Sequence, residues 1–158
     1  MIEGGPYLQT AALCERFLEE KDNVLTLVRL IDQVFLPVAP PASGITYLPI
    51  PVWAILTFKS GQAQGTRTVT LKTPPDLGLK RPNTSIDVTF QGGVTGVNVM
   101  IQLGITPGAA KDGEHWLDVV LDDQVVTRIP LRITYRAAEN NDPQAALSEG
   151  ADLDADAV

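Results

Sequence analysis

Residues 124–136 alternate without a break. Val125, Thr127, Ile129, Leu131, Ile133 and Tyr135 share one parity; Val126, Arg128, Pro130, Arg132, Thr134 and Arg136 share the other. Successive side chains of an extended backbone point to opposite faces, so this run makes one apolar and one wet face in a sheet. A helix would scatter both sets around its axis. Pro130 has no N–H to donate, which places it at a sheet edge or a bulge.

The same period recurs upstream. Leu117, Val119 and Leu121 alternate with Trp116, Asp118 and Val120. Val97, Val99, Ile101, Leu103 and Ile105 alternate with Asn98, Met100, Gln102 and Gly104, and Ile86, Val88 and Phe90 with Ser85, Asp87, Thr89 and Gln91. Pro51–Lys59 and Thr66–Lys72 complete the set. Leu121-Asp122-Asp123-Gln124 reads as a tight hairpin turn, because Asp tolerates positive φ better than most residues. Ser60–Gly65 and Gly92-Gly93 are expected to be turns, and Pro74-Pro75-Asp76 ends the strand before it. Val, Ile and Thr supply 39 of the 158 residues, with 12 Pro and 13 Gly between them, the composition of many short strands and turns.

The first 36 residues admit two readings. Leu13, Phe17 and Leu18 within Ala11–Lys21 suit a short helix, and Leu27, Val28, Ile31, Val34 and Phe35 also fall at helical spacing. The same residues suit strands covered on both faces, with Asp22-Asn23 as the turn. Periodicity does not choose between them.

A resemblance does. Ala12-Leu13-Cys14-Glu15, the Glu20-Lys21-Asp22-Asn23 turn and the run Val24–Val34 resemble the opening of a family of small bacterial and phage β-sandwich proteins of unknown function. In that family a strand with a Cys-Asp-like pair meets an Asp-Gly-Lys-like turn. A second strand then leads to a Pro-rich linker, here Pro37–Pro41. Gly113-Glu114-His115-Trp116, Asp122-Asp123 and Ile129-Pro130-Leu131 are similar to its last hairpin. The chain departs from the pattern at Asn23, where glycine is usual, and at Leu30-Ile31 before Asp32. The resemblance covers most of residues 7–136. It implies an antiparallel β-sandwich, immunoglobulin-like or C2-like, of seven to nine strands, with residues 7–36 as a strand hairpin. It implies no activity.

Charge divides the chain. The net charge is −7. Residues 1–138 carry all 12 Lys and Arg against 13 acids, whereas residues 139–158 carry six acids and no base. The expected organisation is an N-terminal arm (1–6), a sandwich (7–136) and a disordered acidic tail (137–158), whose composition offers too little apolar surface to offset the entropy of ordering. Arg128, Arg132 and Arg136 recur every fourth residue on one strand face. They mark a basic stripe of about 26 Å at about 3.3 Å per residue, suited to an acidic segment of a partner or of the chain's own tail. No dense basic patch points to nucleic acid.

Few residues offer chemistry. Cys14 and His115 are the single thiol and the single imidazole. A cysteine nucleophile needs a base beside it, and nothing in the sequence brings these two together. Cys14 reads as a small buried apolar residue and His115 as a surface residue at a strand start. The serines, Ser43, Ser60, Ser85 and Ser148, lie outside any Gly-x-Ser-x-Gly elbow, and Gly92-Gly93-Val94-Thr95-Gly96 lacks the lysine of a phosphate loop. Calcium needs six to eight oxygens. The candidates are Asp112, Asp118, Asp122 and Asp123, with Asp76 on another loop, and no Asp-x-Asp spacing occurs in the body. Trp53, on a strand with two apolar faces, and Trp116 are candidates for core packing or a partner contact.

The N-terminus shows no signal-peptide pattern, and the longest apolar stretch, near Val52–Leu56, is far short of a bilayer span of about 20 residues. The expectation is a cytoplasmic, non-enzymatic interaction or accessory module without cofactor. It would bind a protein partner or itself, as a homo-oligomer, through Arg128, Arg132, Arg136, Trp53 and Trp116. The alternatives are a calcium- or ligand-binding C2-like module and, third, a Cys/His hydrolase.

Overall fold

The computed structural model describes residues 3–22, 24–38 and 47–137. The chain beyond residue 137, which holds nearly all of the expected acidic tail, lies outside them.

Seven strands and one 3-10 turn are formed by the described residues. They are β1 (Tyr7–Glu19), β2 (Leu25–Leu30), β3 (Gln33–Pro37), β4 (Ile50–Lys72), the 3-10 turn Pro75–Leu77, β5 (Asn83–Ile105), β6 (Gly113–Leu121) and β7 (Gln124–Arg136). The all-β expectation holds, and the strand reading of the first 36 residues is the one adopted. The expected second strand is broken at Ile31-Asp32 into β2 and β3. Arg29 there has a positive φ of 52°.

β4 and β5 are 23 residues each and form one antiparallel hairpin, in register from Ile50 opposite Ile105 to Lys72 opposite Asn83. β1 pairs with the first half of β4, and β2 with β1. β6 pairs with the last four residues of β4, β7 with β6, and β3 with β7. The sheet therefore curls into two layers. One holds β2, β1, the first half of β4 and the second half of β5. The other holds the remaining halves of β5 and β4, then β6, β7 and β3. A single apolar core, including Leu13, Leu56, Phe58, Leu71, Phe90, Ile101, Leu117 and Ile133, lies between them.

The expected turns at Ser60–Gly65 and Gly92-Gly93 are instead bends within continuous strands. Their physical mark is a slip of parity. Val52, Ala54, Leu56 and Phe58 face the core on even numbers, Val69 and Leu71 on odd ones; in β5, Val88 and Phe90 are even and Val99, Ile101, Leu103 and Ile105 odd. An extra residue in a ladder shifts all later side chains by one, and that is what a β-bulge supplies. The register of β4 shifts between Lys59 and Gly61 and again between Gly61 and Gln64. Gly61 (φ 58°), Gly65 (φ 91°), Gly92 (φ 81°) and Gly93 (φ 68°) take the left-handed backbone there. The buried Gly5-Pro6 of the N-terminal arm lies against this bend, with Gln62 N–H donating to Gly4 O.

One pairing is not antiparallel. β3 runs parallel to β7, from Gln33 opposite Arg132 to Pro37 opposite Arg136. The chain reaches it by crossing from the first layer at Ile31-Asp32, where Arg132 N–H donates to Asp32 O. Pro130 lies just before this pairing begins, on a stretch of β7 that β3 does not flank, as its missing donor requires. The Asp122-Asp123 hairpin turn forms as expected. Both residues have positive φ (44° and 68°), and Leu121 faces Gln124. Asp122 also ties this turn to β4, accepting from Thr68 N–H at 3.0 Å and from Arg67 Nη1 at 2.7 Å.

Two substitutions test these points. A Cβ on Gly61 would lie 2.7 Å from Gly4 O, whereas on Gly65 it meets open space. In urea denaturation Gly65→Ala should cost about 1–2 kcal/mol from left-handed backbone alone, and Gly61→Ala clearly more. The Thr68 N–H, and after it the Arg67 guanidinium, hold the Asp122 carboxyl below its ordinary 3.8. That contribution is full above the unfolded value and vanishes as pH falls through the folded one. Asp122→Asn keeps the turn and an acceptor for Thr68. It should lose up to about 1 kcal/mol at pH 7, an exposed ion pair's worth, and the gap from wild type should close in acid.

Candidate functional site

Cys14 and His115 do not form a pair. Cys14, on β1, is fully buried between Leu30 and Trp53 of the flanking strands. Burial pushes its thiol pKa up, the opposite of an activated nucleophile. His115 lies on β6 in the other layer. Contrary to the surface position expected for it, it is only 3% exposed, because its parity on β6 is that of Leu117 and Val119. Its Nε2 bonds Lys111 O at 2.9 Å, and its Nδ1 stands 3.3 Å from Asp76 Oδ1 without hydrogen-bond geometry. The ring anchors the 106–112 loop and the 3-10 turn to β6. No hydrogen bond joins it to Cys14.

The outer face of the second layer brings Trp116 together with two of the three arginines. The register sets Glu114 opposite Arg132, Trp116 opposite Pro130 and Asp118 opposite Arg128. Trp116 is 52% exposed. Arg128 Nε meets Asp118 Oδ1 at 3.0 Å, and Arg132 Nη1 lies 3.8 Å from Glu114 Oε1. Arg136 stacks its guanidinium 3.4 Å over the ring of Phe35 on β3. Each member of the stripe thus has a partner within the domain: a carboxylate for Arg128 and Arg132, an aromatic ring for Arg136. Trp53 is elsewhere, half-buried on the outer face of the first layer, with Phe17 edge-on at 4.9 Å. The register sets Ala12, Ile55 and Met100 in one row and Cys14, Trp53 and Gln102 in the next, so this outer face is apolar too.

The acids weighed for calcium are dispersed. Asp112 accepts from Tyr135 N–H, Asp118 pairs with Arg128, Asp122 caps its turn, and Asp76 faces His115. Among the described residues no group of three or more His, Cys, Asp or Glu converges to hold a metal. No helix among them is long and apolar enough to cross a membrane.

The feature the sequence reading missed is the outer edge of β5. Among the described residues β5 pairs with β4 alone. It is 23 residues long, carries a single charge, Asp87, and has no second strand beside it among the described residues. The other edges are short. β2 has six residues and an irregular Arg29, and β3 has five and ends on Pro37, both ordinary ways of blunting an edge. Because β5 is bent, its halves flank a cleft of about 340 Å3, lined by Leu79, Thr84, Ile86, Met100, Ile101 and Leu103. Lys80 and Arg81 stand on its rim, and neither is ion-paired among the described residues. The near absence of charge across residues 83–105 was the available signal.

No family model matches the chain, and no curated protein matches it. Among solved structures it is similar to an immunoglobulin-like protein from Pseudomonas aeruginosa, at 12% identity and a TM-score of 0.38, over 77% of this chain and 91% of that one.

The inert thiol is directly measurable. Native protein at pH 8 should react with a disulfide reagent far more slowly than protein unfolded in guanidinium, in which Cys14 should react at the rate of a free peptide cysteine.

Proposed function

We propose that this protein is a non-enzymatic interaction module that accepts an extended segment of a partner protein along the free edge of β5. The observation that carries the reading is the length of that edge: 23 residues paired on one side only among the described residues. Unpaired N–H and C=O groups along a strand are a template for another strand, and added strands gain affinity from main-chain bonds and specificity from pockets for alternate side chains. The cleft supplies the pockets, with Ile86, Ile101 and Leu103 as an apolar lining and Lys80 and Arg81 as cations at the rim. The segment this chemistry selects alternates small apolar residues with acids.

Site-specific photocross-linking in cells tests it. A benzophenone side chain at Gln102, exposed on β5, should yield a discrete adduct identifiable by mass spectrometry. The same group at Gln124, in the β6–β7 hairpin, should not. Ile86→Lys, which sets a charge in the cleft, should abolish the adduct. An adduct to a second copy of the chain makes the partner a like molecule at the same edge. No adduct at Gln102, or equal adducts at both positions, refutes the reading.

A further inference from the structure

We infer that the cleft between the two halves of β5 binds a medium-chain carboxylate, an amphiphile with one anionic head and one alkyl chain. The inference uses the cleft alone and stands whether or not a partner strand pairs with β5. Parity explains the apolar lining. Ile86 belongs to the even, core-facing series of Val88 and Phe90, and Ile101 and Leu103 to the odd series of Val99 and Ile105. Ile86 and Leu79 pack against the core yet stay partly exposed. The cleft is therefore where the space between the layers reaches the surface. Its volume of about 340 Å3 falls at the low end of the roughly 300–1,000 Å3 of ligand sites, which suits one alkyl chain and not two.

The walls are set before a ligand arrives. Thr73 N–H donates to Pro82 O at 3.0 Å, and Lys111 N–H to Asp76 O at 2.8 Å. Gly78 lies so near the 106–112 loop that a Cβ there would stand 2.4 Å from the Ala109 carbonyl carbon. The segment carrying Leu79, Lys80 and Arg81 is thus pinned on both sides, and a pinned site loses little ordering entropy on binding. Charge selects the head group. Lys80 and Arg81 line the cleft and no acid does, and neither base has an ion pair among the described residues. Asp87, next to Ile86, has the other parity and accepts from Thr68 Oγ1 at 2.8 Å on the outer face. A guanidinium fork matches a carboxylate bidentately, and a lysine adds a point charge. The arginines of the β7 stripe, by contrast, already face a carboxylate or an aromatic ring. A ligand in the cleft fills the pockets read above as those for partner side chains, so the two exclude one another.

Calorimetric titration of the full chain with sodium decanoate provides the test. Decanoate should bind saturably, and octanoate more than about tenfold more weakly, since each buried methylene is worth a factor of about four. 1-Decanol and decyltrimethylammonium keep the chain and lose the anion; each should bind at least about tenfold more weakly than decanoate. Lys80→Gln/Arg81→Gln alters two exposed side chains. It should keep the thermal midpoint of wild type and lower decanoate affinity at least about tenfold. Decanoate should shift the amide resonances of Ile86, Ile101 and Leu103. An absence of heat at millimolar decanoate overturns the inference. So does equal affinity for decanoate and decanol, a comparison that needs no variant. Equal decanoate affinity in wild type and the double variant, or shifts centred on Trp53 or Trp116, overturns it as well.

Discussion

The structure depends on one uninterrupted ladder. β4 and β5 stay paired from Ile50 and Ile105 to Lys72 and Asn83, and both layers are built from their halves. β1 and β2 attach to one half; β6, β7 and β3 attach to the other. The ladder bends between layers only because the bulges near Gly61 shift the side-chain phase, so that each half still turns its apolar parity inward. Phe58, in the first layer, and Phe90, in the second, meet edge-to-face at 6.0 Å beside the bend. Aromatic pairs of this geometry contribute about 0.5–1.5 kcal/mol beyond their buried area, here at the place where the layers diverge.

Much of this was legible. The parity of residues 86–90, 97–105, 117–121 and 129–133 named the core faces, because alternation is a direct projection of sheet geometry onto sequence; it failed at Val125, which is exposed while Val126 packs against the core, next to the register shift at Val119/Val120. The Asp122-Asp123 turn was legible for a local reason, the tolerance of Asp for positive φ. What failed was non-local. A glycine pair between strands of opposite parity reads as a reversal, yet a bulged bend has the same composition and differs only in what pairs beyond it. The parity change between Phe58 and Val69 was the available clue. The parallel β3–β7 pairing left no local trace, and His115 looked superficial because residue type was given more weight than its place in the Leu117, Val119 series.

Charge in the described body is mostly local. Arg29 meets Glu15, Arg128 meets Asp118 and Arg132 meets Glu114 across neighbouring strands, and Arg67 of β4 meets Asp122 of the β6–β7 turn. Exposed pairs of this kind contribute little stability. Across β6 and β7 they set Asp118 against Arg128 and Glu114 against Arg132. The candidate site residues read from the sequence therefore divide between two outer faces, Trp116 with the arginines on one and Trp53 on the other. Lys80 and Arg81, at the rim of the β5 cleft, are among the bases with no ion pair among the described residues.

The β3–β7 pairing also orders events in time. Gln33 Nε2 donates to Thr134 Oγ1 at 2.9 Å, across 101 positions of sequence. During synthesis the β1–β2 and β4–β5 hairpins can form from residues already outside the ribosome, whereas β3 must wait for the final strand of the domain. Contacts of such separation carry a large loop-closure entropy and come slowly. For the whole of that interval β3, with Val34 and Leu36 destined for the core, is an apolar segment without a sheet. The nascent chain is therefore most exposed to misassociation through its N-terminal region, and release from that state coincides with completion of β7.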